Sequence, residues 1–136
     1  MLNKVVLDTN CLLMALSRHS EYYPVWRGIL TGKYILCVSN DIISEYREII
    51  AQKTSEIVAE NVVRMLSECD FVEFFDPHYH LELIQADPDD NKFVDCAFAA
   101  NATYIVSNDT HFEALKAYDF PKIQVLKLVE FLQTLL

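Results

Sequence analysis

Brief apolar runs alternate with longer amphipathic stretches along the whole chain. The runs at 5–7, 34–38, 71–75, 104–106 and 123–126 are short and rich in β-branched or aromatic residues, and they read as strands. The segments between them are long enough for helices. Over 41–53, Ile42, Ile43, Tyr46, Ile49 and Ile50 recur at helical spacing and define one apolar stripe. Further on, Phe93, Val94, Cys96, Ala97, Phe98, Ala99 and Ala100 make a segment apolar on nearly every side, the pattern of a buried helix. Strands that alternate with helices predict an α/β chain with a parallel sheet covered on both faces. In such sheets the ligand crevice lies beyond the carboxyl ends of the strands, so the residues just after each strand carry most of the functional information.

Those positions hold Asp8 after the first strand, Ser39, Asn40 and Asp41 after the second, and Ser107, Asn108 and Asp109 after the fourth. Asp8 alone could be a helix N-cap, but Thr9 or Asn10 can cap as well, which leaves Asp8 free to face the crevice. Likewise Thr110 with Glu113 three residues on has the form of a capping box, so Asp109 is not needed as the cap. At about 100° per residue, Glu48 falls opposite the 41–53 stripe, whereas Glu45 sits on its edge and can reach the strand ends. In "DPDDNKFVDCAFAANA", Asp90 is placed to cap the buried helix, and Asp95 lies inside it. A buried carboxylate without a partner is costly, so Asp95 needs a cation, a strong donor or a place at the crevice rim.

Charge changes the picture. The 136 residues carry a net charge of −9, which argues against gripping nucleic acid by bulk electrostatics. If Asp8, Glu45, Asp90, Asp95 and Asp109 all project toward one end of the sheet, they repel one another unless a cation joins them. All-oxygen ligation suits Mg²⁺ or Mn²⁺, and one or two such ions support hydrolysis of a phosphodiester. Hydrophobic residues make up 52% of the chain, enough for one core, and no linker, repeat or low-complexity stretch appears, so 1–136 is expected to be a single domain. The N-terminus has neither a signal-peptide pattern nor a membrane span, which gives the expectation of a cytoplasmic protein. Cys11, Cys37, Cys69 and Cys96 are widely spaced without a Cys-x-x-Cys pair and read as buried free thiols.

At this point the sequence resembles the PIN domain ribonucleases, particularly the bacterial PIN proteins that form the toxin components of toxin–antitoxin pairs. The resemblance rests on "VVLDTNCLL", "SNDIISEYREI", "DPDDNKFVDCAFAANATYIVSND" and "HFEAL", which together span almost the whole chain. It implies a three-layer α/β/α sandwich with a central, mostly parallel sheet, and an acidic pocket that binds Mg²⁺ or Mn²⁺ and cleaves single-stranded RNA. On this chain the first acidic position is Asp8, the helical glutamate is Glu45 and the last aspartate is Asp109. The third position falls on Asp90 or on Asp95, with Asp90 favoured. Asn10, Ser107 and Asn108 match small polar positions able to hold a water or orient a carboxylate. An antitoxin partner follows from the resemblance, and a homodimer follows from it and from the high apolar content.

Other features stay open. Arg47, Lys92, His111 and Lys116 could contact an RNA backbone, although each is also an ordinary solvated side chain. His78 and His80 lack further ligands at zinc spacing and read as loop residues. Tyr22, Tyr23 and Trp26 read as core packing before base stacking or a partner contact. Two alternatives to the nuclease remain: a PIN module that binds RNA or a protein partner without catalysis, and a phosphatase with Asp8 as nucleophile. The second is weakened by Asn10, where such sites place another Asp. Dinucleotide and P-loop sites are excluded, since neither glycine pattern occurs.

Overall fold

Residues 4–7, too few for a helix and too apolar for a loop, form the central strand around which the chain is built. The computed structural model describes residues 2–84, 87–118 and 123–136. The strands are β1 (Lys4–Leu7), β2 (Ile35–Val38), β3 (Val72–Phe74), β4 (Tyr104–Val106) and β5 (Gln124–Leu126). All pairings are parallel, and the order across the sheet is β3-β2-β1-β4-β5. The helices are α1 (Thr9–Ala15), α2 (Tyr23–Thr31), α3 (Asn40–Lys53), α4 (Glu56–Glu68), α5 (Asn91–Ala100) and α6 (Leu128–Leu135). Short 3-10 segments run over Pro88–Asp90 and Thr110–Ala117. The result is the expected α/β/α arrangement with an all-parallel sheet. Among the described residues, no helix is long and apolar enough to cross a membrane.

The three central strands are buried on both faces, as the side chains of Val5, Val6, Leu7, Leu36, Cys37, Val38, Ile105 and Val106 show. Helix α5 packs across β1, β2 and β4, while α1 packs on α2 and α3, and α6 packs on α2. Two buried tyrosines tie helices to strands: Tyr46 donates its hydroxyl to the Leu7 carbonyl at 2.7 Å, and Tyr34 donates to Val25 at 2.7 Å. Trp26 is buried and Tyr22 and Tyr23 pack against the core, so the aromatic cluster is structural. Helix α2 ends at Gly32 with φ +75°, where an added Cβ would lie 2.6 Å from the Phe71 ring. Only glycine meets both the left-handed turn and the ring packed against it.

Candidate metal centre

The strand order reverses direction between β1 and β4, and the crevice at such a switch point is where ligands of open α/β sheets bind. The pairing of Leu7 with Val106 puts the next residues of both strands side by side. Ser107 donates its hydroxyl to Asp8 Oδ2 at 2.7 Å, and the Asp109 amide donates to the same Ser107 oxygen at 3.0 Å. One hydroxyl thus fixes the first acidic residue against the last. Asp8 occupies the N-cap position of α1, but its side chain does not cap the helix. Thr9, expected as an alternative cap, instead donates its hydroxyl to Glu45 Oε2, while Lys92 Nζ donates to Glu45 Oε1 at 2.8 Å. Both oxygens of Glu45 are therefore engaged.

Four further groups converge beside Asp8. One donor atom from each of Asp87, Asp90, Asp109 and His111 lies within 4.8 Å of the others. His111 Nδ1 is 3.3 Å from Asp109 Oδ1, 3.5 Å from Asp90 Oδ2 and 4.0 Å from Asp87 Oδ2. Those separations are long for hydrogen bonds, and both His111 Nδ1 and Asp90 Oδ2 are buried atoms without a hydrogen-bond partner. The electrostatics match this shortage of positive charge. Burial, then the charges of Asp87, Asp109 and Asp8, push the Asp90 carboxyl up to about 7 against a smaller opposing pull from His111. Asp8 is also raised, chiefly by burial and further by Glu45 and Asp109, although the Ser107 hydroxyl and the Thr9 amide pull it down. Burial disfavours the Lys92 ammonium, but its hydrogen bond to Glu45 and the surrounding carboxylates outweigh that and raise it. Orphaned buried ligand atoms in an oxygen-rich set are what a divalent cation would satisfy, so these residues fit one.

The structure separates some residues that the sequence grouped together. Asp95 lies five residues beyond Asp90, about 140° around the helix and roughly 7.5 Å along it. It accordingly faces away from the cluster, accepts from the Leu81 amide at 3.0 Å, and sits 3.4 Å from His80 Nδ1. Its strong donor is thus a loop amide. Asn108 also turns aside, its Oδ1 accepting from the Leu128 amide at the start of α6 at 3.0 Å. Asn10 is exposed. The expected Thr110–Glu113 capping box does not form. Asp109 is the cap and accepts from the His111 amide at 2.8 Å, while Glu113 pairs with Lys116. That bond also sets His111 over the cluster. Arg47 pairs with Glu60 across α3 and α4 at 3.4 Å, so each proposed basic contact, His111 included, already has a carboxylate within 4.0 Å. Asp87 was not anticipated; its signal was the run of acidic residues around Pro88.

Beyond the end of β2, a cleft of about 730 Å³ is lined by Ser39, Asp41, His80, Asp89, Lys92 and Asp95 among others. Lys92 joins it to the cluster, since the same ammonium holds Glu45.

A family model for the PIN domain matches residues 4–111. The chain belongs to the PIN domain family. Several solved PIN structures share its fold. VapBC2 from Rickettsia felis, bound to a DNA fragment from their promoter, is 17% identical with a TM-score of 0.63, over 91% of this chain and 98% of that one. DNA-bound VapBC from Salmonella typhimurium is 20% identical with a TM-score of 0.61, over 94% of this chain and 99% of the other. The PIN domain endonuclease Utp24 is 18% identical with a TM-score of 0.54, over 91% of this chain and 84% of its own. No curated protein sequence matches the chain.

Proposed function

We propose that this PIN domain is a metal-dependent endoribonuclease that hydrolyses phosphodiester bonds of single-stranded RNA, and that it acts as the toxin of a toxin–antitoxin pair. The observation that carries the reading is the convergence of Asp87, Asp90, Asp109 and His111 within 4.8 Å, next to Asp8, at the switch point of the sheet. Membership of the PIN family and the acidic cluster together support a nuclease. Two of the similar structures are VapBC complexes, which supports an antitoxin partner for this chain. A homodimer is part of the same proposal, resting on the resemblance and the apolar content.

Asp8, Asp90 and Asp109 would hold Mg²⁺ or Mn²⁺, which when bound supplies the positive charge that stabilises the attacking and leaving oxygens of a phosphodiester displacement. The chain's own residues prepare that chemistry. Ser107 donates to Asp8, which counters part of the upward push of burial on that carboxyl and holds it in place, and its tie to the Asp109 amide fixes the spacing of the two strand ends. Glu45, clamped by Thr9 and Lys92, is presented in one orientation at the boundary between the cluster and the cleft. Lys92 lines that cleft and is the cation placed to meet a backbone phosphate there. With a net charge of −9, RNA must be held by such local contacts, since the overall field repels it.

The test is cleavage of an end-labelled pool of single-stranded RNA by the purified protein with Mg²⁺, with Mn²⁺ and with EDTA, beside Asp8→Asn. Internal cuts are expected with either metal, absent with EDTA and reduced by about 100-fold or more in the variant. A folded protein that cuts with neither metal sinks the enzyme and leaves RNA or partner binding without catalysis.

A further inference from the structure

The cluster contains one donor that sets it apart from an all-carboxylate site. His111 is placed there by two bonds of its own turn: its amide donates to Asp109 Oδ1 at 2.8 Å, and the Asp109 amide is held in turn by Ser107 at 3.0 Å. Its Nδ1 faces three carboxylates at 3.3, 3.5 and 4.0 Å. An octahedral ion about 2.1 Å from each donor separates neighbouring donors by about 3.0 Å and opposite donors by about 4.2 Å. The three His111 separations fall between those values. A second observation comes from Asp90 itself. Asp90 is only 8% exposed, and its Oδ2, aimed at His111, is a buried atom with no hydrogen-bond partner. A simple ion pair between imidazolium and carboxylate would close that gap to hydrogen-bond distance.

From this geometry we infer that His111 Nδ1 is a metal ligand alongside Asp87, Asp90 and Asp109, and that this nitrogen donor makes the centre selective for first-row transition-metal dications over Mg²⁺. The inference rests on the metal-centre reading above and deepens it. Mg²⁺ takes hard oxygen donors almost exclusively and gains little from an imidazole, whereas Mn²⁺ and Co²⁺ accept oxygen and nitrogen together. Asp87 and His111 add to the Asp8, Asp90 and Asp109 set, and they are the two members least buried, at 45% and 40% side-chain exposure.

The experiment is calorimetric titration of the metal-free protein with MgCl₂, MnCl₂ and CoCl₂, for the native chain and for His111→Gln, with circular dichroism to establish that both are folded. The native protein is expected to bind Co²⁺ and Mn²⁺ more tightly than Mg²⁺. In His111→Gln, affinity for Co²⁺ and Mn²⁺ should fall by about tenfold or more while that for Mg²⁺ changes by less than about twofold. An unchanged Mn²⁺-to-Mg²⁺ ratio in the variant overturns the inference. Electron spin echo spectroscopy of the Mn²⁺-loaded native protein supplies a measurement independent of any variant. Modulation from a directly bound imidazole nitrogen supports the inference, and its absence overturns it. Binding of no metal by the native protein would overturn the metal-centre reading as well, whereas binding without a nitrogen signal defeats only the role of His111.

Discussion

Asp90 shows what the site asks of a single residue. It is held at the start of α5 without capping it, buried among carboxylates, with its carboxyl pushed up to about 7. Its folded pKa lies above the ordinary aspartate value of 3.8, so between those pH values the folded chain binds more protons than the unfolded one. The sign is therefore a loss of stability of the metal-free protein as pH rises from about 4 to about 7, with the full cost present above that window. Asp8, also raised, acts in the same direction. In EDTA, Tm should fall across that range and recover when a divalent ion is added at pH 8. Asp90→Asn should show a flatter profile and a higher Tm than the native chain at pH 8 in EDTA; a profile as steep as the native one would refute the assignment of the cost to Asp90. Ser107 is the complementary case, since its hydroxyl serves Asp8 and the Asp109 amide together. Ser107→Ala should weaken Mn²⁺ binding by about 10- to 100-fold, read by calorimetry, while leaving the far-ultraviolet dichroism unchanged.

At the scale of elements, α5 decides which acidic residue serves the site. Asp90 precedes the helix and faces the strand ends, while Asp95, a turn and a half later, points at residues 76–84 and accepts from Leu81. In that segment Glu82 holds a left-handed backbone at φ 53°, a conformation that non-glycine residues adopt at a cost and that neighbouring contacts must support. Asp95→Ala leaves the Leu81 amide without its partner, which should cost about 1–3 kcal/mol by urea unfolding and speed proteolysis within 76–84. The same variant should keep its Mn²⁺ affinity within about twofold, whereas Asp90→Ala should lose at least about tenfold. A larger loss of metal affinity from Asp95→Ala than from Asp90→Ala would reverse the two roles.

Across the whole molecule, the core is built from three central strands buried on both faces and helices that cover them, and the thiols report its integrity. Cys11, Cys37 and Cys96 are buried, with burial as the leading cause that pushes each thiol up to about 12. Cys69 is only half-buried, with its thiol donating to the Ile29 carbonyl at 3.6 Å. A disulfide reagent at pH 8 should therefore modify Cys69 first, and the other three only at the rate of unfolding. More than one thiol reacting in the fast phase would mean that the core opens more readily than its packing implies.

The order of strands and helices was legible from the chain alone, because burial on both faces forces continuous apolar runs into strands and a stripe of period 3.6 into helices. The segment 104–106 and the edge position of Glu45 needed nothing else. The sequence also marked Asp8, Asp90 and Asp109 as strand-end or helix-start residues, since parallel α/β sheets open their crevice there. It did not determine where Asp95 and Asn108 point, nor which residue caps the segment after β4. Those choices depend on which amide or carboxylate comes within about 3 Å once the chain has folded, and the Leu81, Leu128 and His111 amides that settled them lie on a loop and at the first turns of two helical segments, whose placement has no local code. Asp87 and His111 entered the cluster for the same reason. Residues 24 apart in sequence were joined where the turn before α5 meets the turn after β4, and that meeting is set by how the sheet and α5 pack together.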